Sequence, residues 1–172
     1  MSRISQFFRT PAGIASIAFL CWFFTSLFVA TPLRLIGAAT IGSFFDYFAP
    51  TLAIALYVAC VCKEKLSSAL KLKSALYLTI IAAFYLAFIV YMVKSFIHIP
   101  WLSAFIQIMA KANSTAVQLL YMLSNPSITA QMMGWAVYLI ILLSFPLALL
   151  WNYIAISLGN ALGGWFLSLR SK

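Results

Sequence analysis

The chain has 172 residues, of which 65% are hydrophobic and 8% charged, and its mean hydropathy is +1.07. Soluble domains are about half apolar and a quarter charged, so this composition excludes a water-soluble globule and indicates an integral membrane protein. The chain has two acidic residues, Asp46 and Glu64, and one histidine, His98. General acids, general bases and oxygen ligands for metal ions are therefore scarce, and we expect no enzyme, no metal site and no cofactor.

Eleven lysines and arginines give the chain a formal net charge of +9. They flank apolar runs, where basic residues set membrane topology, so the sequence predicts contact with the lipid bilayer and no nucleic-acid binding. Three cysteines, Cys21, Cys60 and Cys62, are too few for a disulfide framework and lie in other segments than His98. We interpret them as packing residues.

The first predicted transmembrane helix covers residues 12–30. It holds about 19 residues, close to the ~20 needed to cross a ~30 Å hydrocarbon core. The apolar part of a cleaved signal peptide is shorter, ~7–15 residues, so we expect this helix to be retained. Because proline cannot continue a helix interior, we expect the helix to end at Thr31 and Pro32.

The second and third spans follow from length and from the position of charges. Residues 33–62 are too long for one upright span, because about 30 residues of helix cover ~45 Å. Gly37 and Pro50 predict a bend, with a tilted or surface-lying stretch before a span over 44–62. Residues 74–93 form an uncharged apolar run and predict the third span.

The fourth predicted span covers residues 131–151, with Pro146 as a kink. The tail beyond the aromatic and polar group at 151–153 is again apolar. A single helix from 131 to 169 would be ~58 Å long, which exceeds the bilayer. We therefore expect a separate C-terminal helix over 153–169 that lies at the membrane interface.

Residues 101–124 predict an amphipathic helix between the third and fourth spans. Its apolar residues recur in steps of three and four. A polar row has similar spacing: Ser103, Gln107, Lys111, Ser114 and Gln118. Lysine at the centre of a bilayer costs roughly 2.5–3.5 kcal/mol, so we expect this helix on the outer surface or re-entering it. The alternative is a fifth span that lines a polar path.

The fold class predicted is all-α, with four transmembrane helices, the amphipathic helix and the interfacial tail helix. In this arrangement the inner side carries eight basic residues, Arg3, Arg9, Lys63, Lys65, Lys71, Lys73, Arg170 and Lys172. The outer side carries three, Arg34, Lys94 and Lys111. This excess predicts that both termini are cytoplasmic, and the compact, basic character of the chain is typical of a bacterial inner-membrane protein.

Asp46 is the one acidic residue within an apolar run, and intramembrane carboxylates often bind protons or cations. The second interpretation, which we favour, is an aspartate at the outer edge that pairs with Arg34 or meets headgroups and water. Gly159 and Gly163, offset by Asn160 and Gly164, have the spacing that permits close helix packing. The helix would pack closely either against the other spans of the chain or against a partner.

Lys63, Lys65, Lys71 and Lys73 form a basic cluster that predicts first an inner anchor and second an anionic-lipid patch, with each lysine contributing about 1 kcal/mol toward acidic headgroups. Aromatic residues such as Trp22, Phe23, Phe24, Tyr85 and Trp165 are expected to face lipid or to pack within the protein.

These observations favour a non-enzymatic membrane protein that acts through helix contacts with other membrane proteins or with itself. It would be a subunit or accessory of a secretion, conjugation or envelope complex, or an immunity or exclusion protein. In outline alone, a basic four-span chain of this length resembles the immunity proteins that protect against pore-forming bacteriocins, and the resemblance carries over no residue. The alternative is a small oligomeric transporter or channel component with a polar path along residues 103–118.

Overall fold

The structure is a computed structural model that describes residues 6–62, 64–96 and 134–170. The described residues contain five α-helices: α1 (Pro11–Thr25), α2 (Thr31–Leu35), α3 (Ala39–Leu56), α4 (Ser68–Phe96) and α5 (Gly134–Arg170). Two π-helical segments, π1 (Ser26–Ala30) and π2 (Tyr57–Cys62), join α1 to α2 and extend α3. The predicted all-α class is confirmed for this part of the chain.

Three stretches of the described residues are long and apolar enough to cross a bilayer: Pro11–Arg34, Thr40–Cys62 and Leu143–Leu169. Large apolar side chains point outward on these helices, and Phe28 is 67% and Leu147 64% exposed. A soluble protein covers most such surface, whereas the hydrocarbon of a bilayer accepts it. The structure therefore supports an integral membrane protein that contacts lipid.

The first helical stretch begins at a capped N-terminus and runs past the predicted stop. The hydroxyl of Thr10 accepts a hydrogen bond from the N–H of Gly13 at 3.1 Å, and Pro11 occupies the first turn of α1. The predicted end at Thr31 and Pro32 is wrong, since α2 continues to Leu35.

The reason lies in π1, where the N–H of Thr31 bonds to the carbonyl of Ser26, five residues earlier. The hydroxyl of Thr31 also donates to that carbonyl, at 2.7 Å. The wider turn starts a new helical segment at Thr31, so Pro32 falls in a first turn, where proline is tolerated. The chain reverses direction instead at Gly37, whose φ of +88° favours glycine.

α3 returns alongside the first helical stretch, and we call residues 11–62 the hairpin. The helix begins at Ala39, so residues 40–43, which were predicted to lie in the tilted or surface-lying stretch, are part of the span Thr40–Cys62. A β-carbon at Gly42 would lie 2.7 Å from the carbonyl oxygen of Ala30, so glycine permits the two arms to approach closely. Pro50 lies inside α3 and is buried.

α4 contains the third predicted span, 74–93, within its 29 residues. α5 differs from expectation, because its 37 residues form one continuous helix through the predicted break near residue 152. The side-chain amide of Asn152 donates to the hydroxyl of Thr79 on α4 at 2.9 Å. The polar residue is used for helix contact, so the helix continues through it.

The chain divides into two compact units. The first comprises Met1–Ile81 and Ala148–Lys172, and the second comprises Ala82–Leu147. The core of the first unit contains side chains from every long helix: Ile14, Ala15, Ala18, Ile54, Tyr57, Val58, Leu66, Ala75, Leu78 and Ile156. In the described part of the second unit, Phe84 and Phe145 are exposed.

One end of the first unit gathers the start of α1, the end of π2, the start of α4 and the end of α5. The hydroxyl of Tyr57 donates to the carbonyl of Phe8 at 2.5 Å, and the N–H of Leu66 donates to the side chain of Asn160 at 2.7 Å. We call this the basic end, because it carries Arg9, Lys65, Lys71 and Lys73. The start of α1 and the end of α5 therefore lie on the same side of the first unit.

Candidate functional site

Arg34 and Asp46 form an ion pair across the turn of the hairpin. Arg34 lies at the end of α2 and Asp46 in the second turn of α3, and a guanidinium nitrogen binds a carboxylate oxygen. Asp46 is only 9% exposed, and it is the one acidic residue in the three candidate spans. Pairing neutralises both charges, which lowers the cost of placing a carboxylate in the membrane.

Further polar groups surround this pair. Ser26 and Thr31 are buried, and the hydroxyl of Thr31 donates to the backbone carbonyl of Ser26. Pro50 lies four residues after Asp46 and has no N–H, so the carbonyl of Asp46 lacks its usual helical donor. We call Ser26, Thr31, Arg34 and Asp46 the hairpin polar cluster.

The chemistry of this cluster is that of an ion pair in which Oδ2 of Asp46 binds Arg34 and Oδ1 is buried without a hydrogen bond to any described residue. Asp46 is its single carboxylate, and a cation site needs several converging oxygen ligands. Within residues 6–62, 64–96 and 134–170, no three histidine, cysteine or acidic side chains converge on one point. The arrangement joins the two arms of the hairpin, since each partner comes from a different arm.

Gly159 and Gly163 pack α5 directly against α3. A β-carbon at Gly159 would lie 2.5 Å from the carbonyl oxygen of Thr51, and one at Gly163 would lie 2.7 Å from that of Ala55. Real β-carbons do not approach so closely, so both positions require glycine unless the helices separate. We call this contact the glycine seam, and it places the two glycines against another helix of the same chain.

The offset pair Asn160 and Gly164 faces a different neighbour, the loop before α4. Asn160 is buried and its side-chain oxygen accepts the backbone N–H of Leu66. The absence of a side chain at Gly164 leaves room for the aliphatic part of Lys65, which lies against the helix. One face of α5 therefore binds α3, and the adjacent face binds the loop.

The lysine cluster predicted from the sequence lies at the basic end. The ammonium of Lys71 lies 5.9 Å from the centroid of the Tyr153 ring, a cation–π geometry. Lys65 and Lys73 are exposed. Lys63 lies outside the described residues.

A row of aromatic rings runs along α1 and π1. Successive ring centroids lie 5.7 Å (Trp22 to Phe19), 6.3 Å (Phe19 to Phe23), 5.5 Å (Phe23 to Phe24) and 6.1 Å (Phe24 to Phe28) apart. We call these five residues the aromatic ladder. It begins near the middle of the span Pro11–Arg34, whereas aromatic belts lie at the two membrane interfaces.

The structure brings some predicted residues together and leaves others undescribed. Asp46 lies with Arg34, and Gly159 and Gly163 of α5 pack against α3. The polar row Ser103, Gln107, Lys111, Ser114 and Gln118, and with it the predicted amphipathic helix over 101–124, lies outside the described residues.

The partners of Tyr57 and Asn152 were not predicted from the sequence. Each of these side chains contacts a segment distant in the chain, and no local pattern identifies such a contact. The four-residue spacing of Gly159 and Gly163 recurs in the offset pair Asn160 and Gly164. This spacing was a sequence signal that Asn160 lies at a helix contact.

Comparison with protein-family models, with curated proteins and with solved structures finds no match to this chain.

Proposed function

We propose that this chain is a four-span membrane protein that acts through helix contacts with a different membrane protein. In this proposal it is a non-enzymatic subunit or accessory of a membrane complex, or an immunity or exclusion protein, in a bacterial inner membrane. The observation that carries the proposal is the aromatic ladder, a row of contacting rings that runs from Phe19, which packs against the core, to exposed rings at its end. Phe24 and Phe28 at its end are 52% and 67% exposed.

The ladder suits a protein partner for two physical reasons. Aromatic rings supply large contact areas with few rotatable bonds, so little conformational entropy is lost when they bind. Rings that already contact one another lose still less. The usual preference of aromatic residues for the membrane interfaces does not explain the ladder, because the ladder extends through the interior of the span and does not mark its ends.

The polar chemistry of the hairpin supports the same proposal. The carboxylate of Asp46 is engaged by Arg34 within the hairpin, so this acidic group stabilises the fold instead of lining an open path. The hairpin would then contact other molecules through the outer surfaces of its helices. Without a hydrophobic driving force in lipid, such surfaces associate through close packing and specific contacts.

The proposed topology has four spans, with α4 as the third, and both termini in the cytoplasm. Support comes from the basic end, where the start of α1 and the end of α5 lie together. The same end carries four basic residues, Arg9, Lys65, Lys71 and Lys73. Basic residues of short loops remain on the cytoplasmic side. A reporter fused after Lys172 should therefore be active only in the cytoplasm, and activity on the outer face would refute this topology.

Site-specific photo-cross-linking tests the partner contact. A photoreactive phenylalanine analogue replaces Phe24 or Phe28 in the intact chain, expressed in its own host membrane. Trp165 on α5, which is 56% exposed, is the matched control because it is also aromatic and outward-facing. We expect one protein adduct from positions 24 and 28 that is absent at position 165. Adducts only with lipid, or the same adducts from all three positions, would contradict the proposal.

A further inference from the structure

Two buried oxygen atoms of the hairpin have no hydrogen-bond partner in the part of the chain that the structure describes. They are Oδ1 of Asp46 on α3 and Oγ of Ser26 at the start of π1. Asp46 is 9% exposed and Ser26 is 4% exposed. Buried polar atoms in native proteins almost always bond to the protein or to ordered water. The two oxygens therefore indicate a ligand that bonds to both.

The close contact at Gly42 places Ser26 opposite Asp46. A β-carbon at Gly42 would lie 2.7 Å from the carbonyl oxygen of Ala30, so these two residues face each other across the hairpin. Asp46 follows Gly42 by about one helical turn, and Ser26 precedes Ala30 by about one turn. Because the arms run in opposite directions, Ser26 and Asp46 face each other one turn further from the reversal of the chain. Their unpaired oxygens thus lie at the same level between the arms.

Arg34 holds the other side of the carboxylate. A β-carbon at Gly42 would lie 3.1 Å from Cγ of Arg34, so the glycine leaves room for the arginine stem to pass toward Asp46. The guanidinium binds Oδ2 of Asp46, and this bond orients the carboxylate with Oδ1 available to another donor.

The chemistry of these groups selects the ligand. A carboxylate oxygen only accepts hydrogen bonds, whereas a serine hydroxyl both donates and accepts. A metal cation is disfavoured because Arg34 already neutralises the carboxylate, and hard cations take about six oxygen ligands. A water molecule has two O–H groups and can also accept, and buried waters make about three hydrogen bonds. The carbonyl of Asp46 is a third acceptor at this level, since Pro50 has no N–H to donate to it.

We propose that Asp46 and Ser26 bind one water molecule between the arms of the hairpin, within the membrane-spanning part of the chain. The water donates to Oδ1 and to the carbonyl of Asp46 and accepts from the hydroxyl of Ser26. It thereby hydrates the carboxylate of the ion pair at a position away from the membrane surface. The site does not depend on the aromatic ladder, so it stands whether or not the protein partner exists.

Water-edited magic-angle-spinning NMR of the full chain in lipid bilayers tests this site, because it measures magnetisation transfer from water protons to nearby carbons. The control is Thr79, which is buried and whose hydroxyl already donates to Ala75 and accepts from Asn152. We expect rapid transfer to the carboxyl carbon of Asp46 and the β-carbon of Ser26, and slow transfer to the β-carbon of Thr79. Transfer to all three carbons at one rate would overturn the proposal.

Two variants separate a bound water from water at the membrane surface. Ser26→Ala removes one partner of the bound water and should abolish the rapid transfer to Asp46. Thr31→Val removes a hydroxyl of the same cluster that already bonds to the carbonyl of Ser26, and it should leave the rapid transfer intact. Unchanged transfer to Asp46 in Ser26→Ala, or an equal loss in both variants, would overturn the proposal.

Discussion

The two sides of α3 are held by different physical means. Toward α2 the helix is joined by the Arg34 and Asp46 ion pair, which depends on charge and on both partners being present. Toward α5 it is joined by the glycine seam, which depends on the absence of side chains. We therefore expect the first contact to tolerate replacement of both partners together, and the second to tolerate no added atom. The two contacts should therefore respond differently to substitution: the ion pair to the loss of one charge, and the glycine seam to the size of the added side chain.

The largest effect is expected at the ion pair. Asp46→Asn leaves the guanidinium of Arg34 without its carboxylate inside the hairpin, and breaking a buried pair costs about 3–5 kcal/mol. Replacing both residues by leucine removes both charges and should recover most of that loss, because no uncompensated charge remains. The free energy of unfolding in lipid bicelles, measured by steric trapping, distinguishes these outcomes. A double variant as unstable as Asp46→Asn would show that charge pairing is not what joins the arms.

The glycine seam should respond to size alone. Gly159→Ile and Gly163→Ile each force α5 away from α3, at a cost of about 1–3 kcal/mol for overpacking. The matched control is Ala161→Ile, an exposed position between the two glycines on the same helix. Unfolding free energies should fall for both glycine variants and stay within error for the control. If Ala161→Ile destabilised the protein equally, helix propensity rather than close packing would be responsible.

An effect of similar size is expected where α5 binds the loop before α4. Asn160→Ala leaves the backbone N–H of Leu66 buried without an acceptor, at a cost of about 1–3 kcal/mol. Hydrogen exchange of the Leu66 amide should therefore accelerate by roughly tenfold or more. Asn152→Ala on the same helix is the control, since that residue bonds to Thr79 and not to the loop. Unchanged exchange at Leu66 in Asn160→Ala would contradict the assigned contact.

The smallest effect is expected at Lys71 and Tyr153. Cation–π contacts at exposed sites are worth about 0.5–1 kcal/mol. Tyr153→Leu removes the ring and should lower the melting temperature slightly in detergent, whereas Tyr153→Phe keeps a ring and should not. A loss of equal size in both variants would assign the effect to the tyrosine hydroxyl.

Composition and run lengths predict the helical membrane class, because the requirement for apolar helices in a bilayer is imposed locally along the chain. The helix boundaries at Pro32 and Asn152 were predicted wrongly for one shared reason. Each residue disfavours a buried helix interior by itself, and each is accommodated by a feature that local sequence does not reveal. For Pro32 that feature is the π-helical turn before it, and for Asn152 it is Thr79 on a distant helix.

The candidate site likewise contains contacts that the sequence predicts and contacts that only the fold reveals. Arg34 and Asp46 are twelve residues apart around a turn, so charge and proximity suggested their pairing. The spacing of Gly159 and Gly163 predicts that some helix packs closely on α5, but identifying α3 requires the fold.

The central proposal is that the chain works by holding another membrane protein through its helix surface. The most direct measurement is the mass of the complex extracted from host membrane by a polymer that retains the surrounding lipid. We predict a particle containing this chain and a different protein in fixed ratio, with the ratio reduced when Phe24 and Phe28 are both replaced by leucine. A particle containing only this chain, alone or as a homo-oligomer, would contradict the account.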